Sequence, residues 1–325
     1  MPSSTTPRIK PLALQPGDTV GVVAPASNLS RDDLHAGCEA VRRAGYRPFY
    51  FDSILDKDLY FAGSVRRRTH ELEEMFLREE VRAIVCARGG YGANYLLEAL
   101  NLEKIKANPK IFVGYSDLTC LLTYFYDTLG LVTFHGPMVA KDWAHDAGAD
   151  LASWTSALAL PEAWEVNLGA GSGTTGLVEG TAEGILYGGC LSILAASLGT
   201  PYEIETANTI LFLEDVAAKP FQIDRMLMQL KLAGKLNDVR GIVFGEMIDC
   251  RQIANVANQG YTLEEVVLRI VGQLGIPVAY GVRSGHVTTG NITLPIGVRA
   301  GLTVRGGQAS LKILEGAVTA DPKQI

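Results

Sequence analysis

The chain has 325 residues, 47% hydrophobic and 20% charged, with 35 glycines and a net charge of −6, a composition that supports two compact domains with sizeable cores. No basic excess and no Lys/Arg run longer than Arg66-Arg67-Arg68, read as the solvated face of a helix, offers nucleic acid a footprint. Five scattered cysteines without a C-x-x-C pair argue against disulfides and zinc, and neither a leader in residues 1–16 nor an apolar run near about 20 residues points to a membrane, so a cytoplasmic protein is expected.

In chain order, Thr19-Val-Gly-Val-Val-Ala24 reads as a buried strand. Ser30 opens a helix to about residue 44, with Asp33 three residues on as in a capping box and Gly45 as its stop. Residues 46–51 form a second strand, and Ser64 opens a helix reaching about residue 79. Residues 83–87 are a strand, 93–100 a helix, 111–115 a strand, 117–129 a helix and 132–134 a last strand. Apolar strands separated by helices predict a parallel sheet covered on both faces, with ligands beyond the strands' carboxyl ends.

That α/β domain is assigned to residues 1–165. The tract Asn167-Leu-Gly-Ala-Gly-Ser-Gly-Thr-Thr-Gly176 cannot sustain a helix or sheet and marks a linker at 166–177. Residues 178–325 then mix strand-like pieces (209–213, 241–245, 278–282, 292–294) with helices at 221–233 and 263–274. They end in a hairpin turned by Gly306-Gly307, as a second, mixed α/β domain.

The chemistry starts at Ser116, in Ile111-Phe-Val-Gly-Tyr-Ser-Asp-Leu-Thr119, where an apolar strand breaks at a glycine and a helix begins. A serine on a strand-to-helix corner exposes its hydroxyl beside backbone N–H donors, the parts an acyl transfer needs; serine is equally a favoured N-cap. A serine nucleophile requires a base and a group that orients it. Among five histidines, His35 and His70 fall inside amphipathic helices and His145 in a polar stretch. His286, in the loop Arg283-Ser-Gly-His-Val-Thr-Thr-Gly-Asn291, and His135, at the end of a strand before Gly136-Pro137, remain the two candidates. The strand Ile210-Leu-Phe-Leu-Glu-Asp-Val216 ends in two carboxylates that alternation sends to opposite faces, one toward a site and the other toward solvent or a cap. Arg88-Gly-Gly-Tyr-Gly92 follows a strand, and its glycines let N–H groups approach a bound group, although a plain tight turn has the same signature. Cys86 and Cys120 read as small core residues.

Several of these stretches together resemble a known family. Val22-Val-Ala-Pro-Ala-Ser27, Cys86-Ala-Arg-Gly-Gly-Tyr-Gly92, Gly114-Tyr-Ser-Asp117 and Thr133-Phe-His-Gly-Pro137 are similar to motifs of the LD-carboxypeptidases, a serine peptidase group. So are Leu198-Gly-Thr-Pro201, Leu211-Phe-Leu-Glu-Asp-Val216, Ile223-Asp-Arg-Met-Leu-Met-Gln-Leu230 and Gly285-His286, in the same order over residues 17–315. The resemblance implies a flavodoxin-like N-terminal domain, a smaller C-terminal α/β domain, a homodimer, and a triad of Ser116, Glu214 and His286 with the site between domains. The backbone N–H groups of Gly90 and Asp117 are the candidates for the oxyanion hole, and Arg88, beside the glycine loop, is a candidate to pair with a substrate carboxylate or, equally, to form an internal ion pair. No metal or cofactor is implied.

The implied substrate is a murein tetrapeptide that loses its terminal D-alanine during cell-wall recycling. The alternative is a microcin C immunity-type hydrolase of peptidyl or aminoacyl adenylates, which holds adenine with aromatic residues of the second domain. Trp143, Trp154 and Trp164 all precede the linker and weigh against it. A non-catalytic binding protein of the same fold is the third possibility. The chain departs from the family's pattern at Cys190, where asparagine is usual, and at Ala217, Ala218 and Gln222.

Overall fold

The structure is a computed structural model that describes residues 7–168, 173–251 and 260–321. It divides into two compact units, Met1–Glu162 with Thr289–Gly297 and Gly316–Ile325, and Ala163–Thr288 with Val298–Glu315.

The first unit alternates strand and helix: β1 (Thr19–Val23), α1 (Arg31–Arg43), β2 (Arg47–Phe49), α2 (Val65–Leu77), β3 (Val81–Cys86), α3 (Leu102–Ala107), β4 (Ile111–Gly114), α4 (Thr119–Leu129), β5 (Thr133–His135) and α5 (Leu151–Leu158). Serine caps start the first two helices, Ser30 Oγ accepting the Asp32 N–H at 3.1 Å and Ser64 Oγ that of Arg67 at 3.2 Å. Gly21 lets α2 lie close on β1, since a Cβ there would meet the Met75 sulfur at 2.8 Å. Phe76, Phe112 and Phe125 form an aromatic knot in the core beneath α2 and α4. The helix expected over 93–100 is a single 3-10 turn, Ala93–Leu96.

Along the rest of the chain come β6 (Trp164–Val166), β7 (Thr175–Val178), β8 (Gly180–Cys190), α6 (Leu191–Ser197), β9 (Thr209–Glu214), α7 (Pro220–Leu232), β10 (Gly241–Gly245), α8 (Leu263–Val271) and β11 (Val278–Val282). Then β12 (Leu294–Ile296) returns to the first unit, and β13 (Val298–Arg305) and β14 (Gln308–Ile313) complete the second. Residues 169–172 of the expected linker lie outside the described residues, and Thr175–Val178, near its end, is strand β7, antiparallel to β11. Trp164 belongs to β6 of the second unit, so the tryptophans do not all sit ahead of that fold.

The first sheet runs β12-β5-β4-β3-β1-β2. Strands β1 to β5 pair in parallel, in the flavodoxin-like order, and β12 adds an antiparallel edge with Leu294 opposite His135. Residues 292–294, expected in the second domain, thus lead into an edge strand of the first sheet, where Pro295 is tolerated. The second sheet runs β6-β14-β13-β8-β9-β10-β11-β7. Its central four strands, β8 to β11, are parallel, and antiparallel strands flank them on both sides. The expected terminal hairpin forms, with Arg305 opposite Gln308 across Gly306 and Gly307, whose φ values of 56° and 75° suit a two-residue turn.

Candidate active site

In the first unit the chain order places the switch point of the sheet between β1 and β3, whose following loops face each other. The Ser27 N–H donates to Gly89 O at 3.3 Å, and the Tyr91 N–H donates to Ser27 Oγ at 3.1 Å, lacing the two loops together. Ser116 follows β4 at the same edge. Its φ of 64° is rare for a residue with a side chain and marks a strained corner between Tyr115, still extended, and the 3-10 turn Ser116–Leu118. Gly89 is fitted to that corner: a Cβ on it would lie 2.8 Å from Ser116 Cβ and 3.0 Å from Ser116 Oγ. Gly90, at φ 103°, packs as closely on Ser27.

Asp117 is buried, 2% exposed, and its carboxylate accepts the N–H groups of Ala93, at 2.7 Å, and of Gly92. Burial pushes its carboxyl up to about 6, against the opposing pull of those N–H groups and of Arg68. Arg88 is exposed and donates from Nη1 to Asn28 O at 3.1 Å. His135 is fully buried in β5, 5.8 Å between ring centres from Tyr115. His35, His70 and His145 are exposed.

In the second unit the carboxyl ends of the parallel strands carry Cys190 on β8, Glu214 on β9 and, just past β11, the loop to His286. Glu214 is fully buried. Its Oε2 receives the His286 N–H at 3.0 Å and lies 2.7 Å from His286 Nδ1, so one carboxylate oxygen holds both the backbone and the ring of the histidine. Gly285 makes this approach possible. Its φ is 94°, and a Cβ there would fall 2.6 Å from Glu214 Cδ and 2.7 Å from Oε2. Gly245 does the same from β10, with a Cβ position 2.7 Å from Glu214 Cβ. A histidine whose Nδ1–H donates to a carboxylate has Nε2 free of that proton and oriented as a base.

The neighbouring Asp215 has the other role that alternation allows. Its Oδ2 accepts the Ser192 N–H at 2.8 Å at the start of α6, and its Oδ1 the Val216 N–H at 2.8 Å. Cys190 is buried opposite Glu214 in the β8–β9 register, with Sγ 3.3 Å from Ser192 Oγ. Burial and the two carboxylates raise its thiol well above the usual range, as burial does for Cys86 and Cys120. Gln222 accepts the Lys219 N–H at 2.8 Å, and Ala217 takes a φ of 55° while donating to Ile248 O at 2.8 Å.

Two residues differ from what the sequence suggests, one unnoticed and one misassigned. Glu246 follows β10 and accepts the Thr288 N–H at 3.3 Å, and burial raises its carboxyl while Arg283 opposes the shift. Its signal was a strand ending in a carboxylate, as on β9. Arg68, assigned to a solvated face, is 2% exposed. Among the described residues no group of three or more His, Cys, Asp or Glu side chains is arranged to hold a metal, and no helix is long and apolar enough to cross a membrane.

Residues 20–136 match the LD-carboxypeptidase N-terminal domain and residues 183–302 the LD-carboxypeptidase C-terminal domain. The chain is 37% identical over 311 residues to a probable murein peptide carboxypeptidase of Bacillus subtilis, covering 95% of this chain and 97% of that protein. It is 30% identical over 321 residues to the microcin C7 self-immunity protein MccF of Escherichia coli, covering 89% and 91%. Among solved structures, muramoyltetrapeptide carboxypeptidase from Oxalobacter formigenes superposes with a TM-score of 0.79 at 28% identity, over 93% of this chain and 100% of that one.

Proposed function

The chain belongs to the LD-carboxypeptidase family, and we propose that it is a serine carboxypeptidase that cleaves the amide between an L-centre and a terminal D-amino acid. Its substrate in this reading is a murein tetrapeptide, converted to the tripeptide and D-alanine in cell-wall recycling by a cytoplasmic homodimer. The observation that carries the reading is the single carboxylate oxygen of Glu214 holding both the N–H and Nδ1 of His286. That arrangement has a cost, a fully buried carboxylate, and its chemical return is an imidazole fixed in one tautomer.

In the proposed reaction His286 Nε2 takes the Ser116 proton as Oγ attacks the scissile carbonyl. The oxyanion is met by the backbone N–H groups of Gly90 and Asp117, and Glu214 stabilises the imidazolium. The imidazolium then protonates the leaving amine and D-alanine departs. Water, giving its proton to His286, hydrolyses the acyl-enzyme and restores Ser116. Arg88 is assigned to the substrate's terminal carboxylate. A second reading, hydrolysis of aminoacyl adenylate analogues, is favoured by the similarity to the self-immunity protein and by Trp164 in the second unit.

The test incubates the protein with a murein tetrapeptide and, separately, with an aminoacyl sulfamoyl adenylate. Release of D-alanine that Ser116→Ala abolishes is the expected result, and cleavage of the adenylate alone moves the assignment to the second reading. No release from either compound, or equal release by Ser116→Ala, overturns the hydrolase.

A further inference from the structure

Arg68 sits one turn into α2, four residues after the Ser64 cap and four before Leu72, and is 2% exposed. Removing a guanidinium from water costs several kcal/mol unless its donors are met. Burial and the neighbouring Arg67 both lower its proton affinity, so the fold holds the charge there against two opposing effects.

Two of the three Arg68 nitrogens meet carbonyls, and Nη2 is buried without a hydrogen-bond partner. Nε donates to Gly63 O at 3.2 Å, while Nη1 donates to Pro25 O and, at 2.7 Å, to Gly92 O. The guanidinium carbon also lies 4.9 Å from the centre of the Phe61 ring. The three carbonyls belong to three separate segments: the loop after β1, the entry to α2 and the loop after β3. Gly92 is gripped from both sides, its carbonyl by Arg68 and its N–H by Asp117, the residue that follows Ser116. No side chain fits at Gly92, since a Cβ on it would lie 2.5 Å from the Phe61 ring and 3.3 Å from Arg68 Nη1. Three residues earlier in the same loop, Gly89 is packed on Ser116 itself.

We propose that Arg68 is a positioning residue for the reaction: from beneath, it locks the 89–92 loop against the Ser116 corner so that the serine hydroxyl and the Gly90 and Asp117 N–H groups hold one geometry. It touches no substrate and acts through backbone carbonyls. The inference rests on Ser116 being the nucleophile. Lysine cannot replace it, because a single ammonium has no planar fork to reach carbonyls of three segments at once.

The experiment compares full-length wild type, R68K and R68A by kcat and KM for D-alanine release and by the rate at which a fluorophosphonate acylates Ser116. Thermal unfolding identifies folded variants, and R68M substitutes for R68K if the latter does not fold. A displacement of the loop by about 1 Å predicts a loss of roughly 100-fold in both kcat and acylation rate, with KM little changed. Added methylguanidinium is expected to restore part of the R68A rate and none of the R68K rate. A folded R68K or R68M with the wild-type acylation rate, or a loss confined to KM, overturns the role of Arg68 alone. A wild-type Ser116 that does not react overturns this inference together with the hydrolase reading.

Discussion

Asp117 carries a measurable consequence of its setting. Its folded carboxyl is pushed up to about 6 from an ordinary 3.8, so the fold binds this proton more tightly than the unfolded chain does. The stabilisation from protonation is complete below the unfolded value and is lost as pH rises through the folded one, leaving a cost of about 3 kcal/mol once the group is ionised. Asparagine at 117 keeps an oxygen for the Ala93 N–H and never ionises. Urea unfolding between pH 4 and 8 is therefore expected to show Asp117→Asn gaining on the wild type as pH rises to about 7, with no further gain above that. A stability difference that stays flat across the range would contradict the burial argument. At this scale much was legible: the break at Gly114-Tyr-Ser116, the paired carboxylates of β9 and the glycine before His286 each state a local geometric demand. Arg68 is misassigned from sequence, because three adjacent arginines look like a solvated face. Its spacing to Leu72, Met75 and Phe76 places it on the apolar stripe, and that periodicity was the available signal.

Among the elements, the end of β9 carries two adjacent carboxylates, Glu214 on the strand and Asp215 just past it, with unrelated roles. Glu214 orients His286, whereas Asp215 satisfies the N–H groups of Ser192 and Val216 and so caps α6 from a neighbouring strand. Asp215→Ala strands two N–H groups and is expected to cost about 1–3 kcal/mol of stability. Glu214→Gln leaves the fold intact but is expected to lower kcat by roughly 1000-fold or more, through the wrong histidine tautomer. Thermal unfolding and D-alanine release, measured on both variants, check the division. A folded Asp215→Ala enzyme with a catalytic loss as large as that of Glu214→Gln would remove it. Most strands of the first half are visible because they are short apolar runs between helices. Strand β8 is not, since Gly180, Gly184, Gly188 and Gly189 interrupt its pattern. Those glycines serve packing: a Cβ on Gly184 would strike Asn208 O at 2.7 Å, and one on Gly188 would strike Phe212 O at 2.1 Å. Strand β7 is hidden because it begins inside the glycine-rich tract, with Gly176 as its second residue.

For the molecule as a whole, the pairing of β12 with β5 was beyond reach of the sequence, because an edge strand that returns across more than a hundred residues leaves no local trace. The placement of the candidate residues, by contrast, is legible: Ser116 lies in the first unit, and Glu214 and His286 lie in the second. If these groups act as one machine, their losses cannot multiply. Once Ser116 is gone there is no proton for His286 to take, and once His286 is gone the hydroxyl of Ser116 is a poor nucleophile. Ser116→Ala, His286→Ala and the double variant are therefore expected to share one low kcat, set by whatever binding and oxyanion stabilisation remain. Independent contributions would instead make the double variant slower by the product of the two single effects. Steady-state release of D-alanine by the three folded variants separates these outcomes, and a multiplicative loss would sever His286 and its Glu214 from the attack by Ser116.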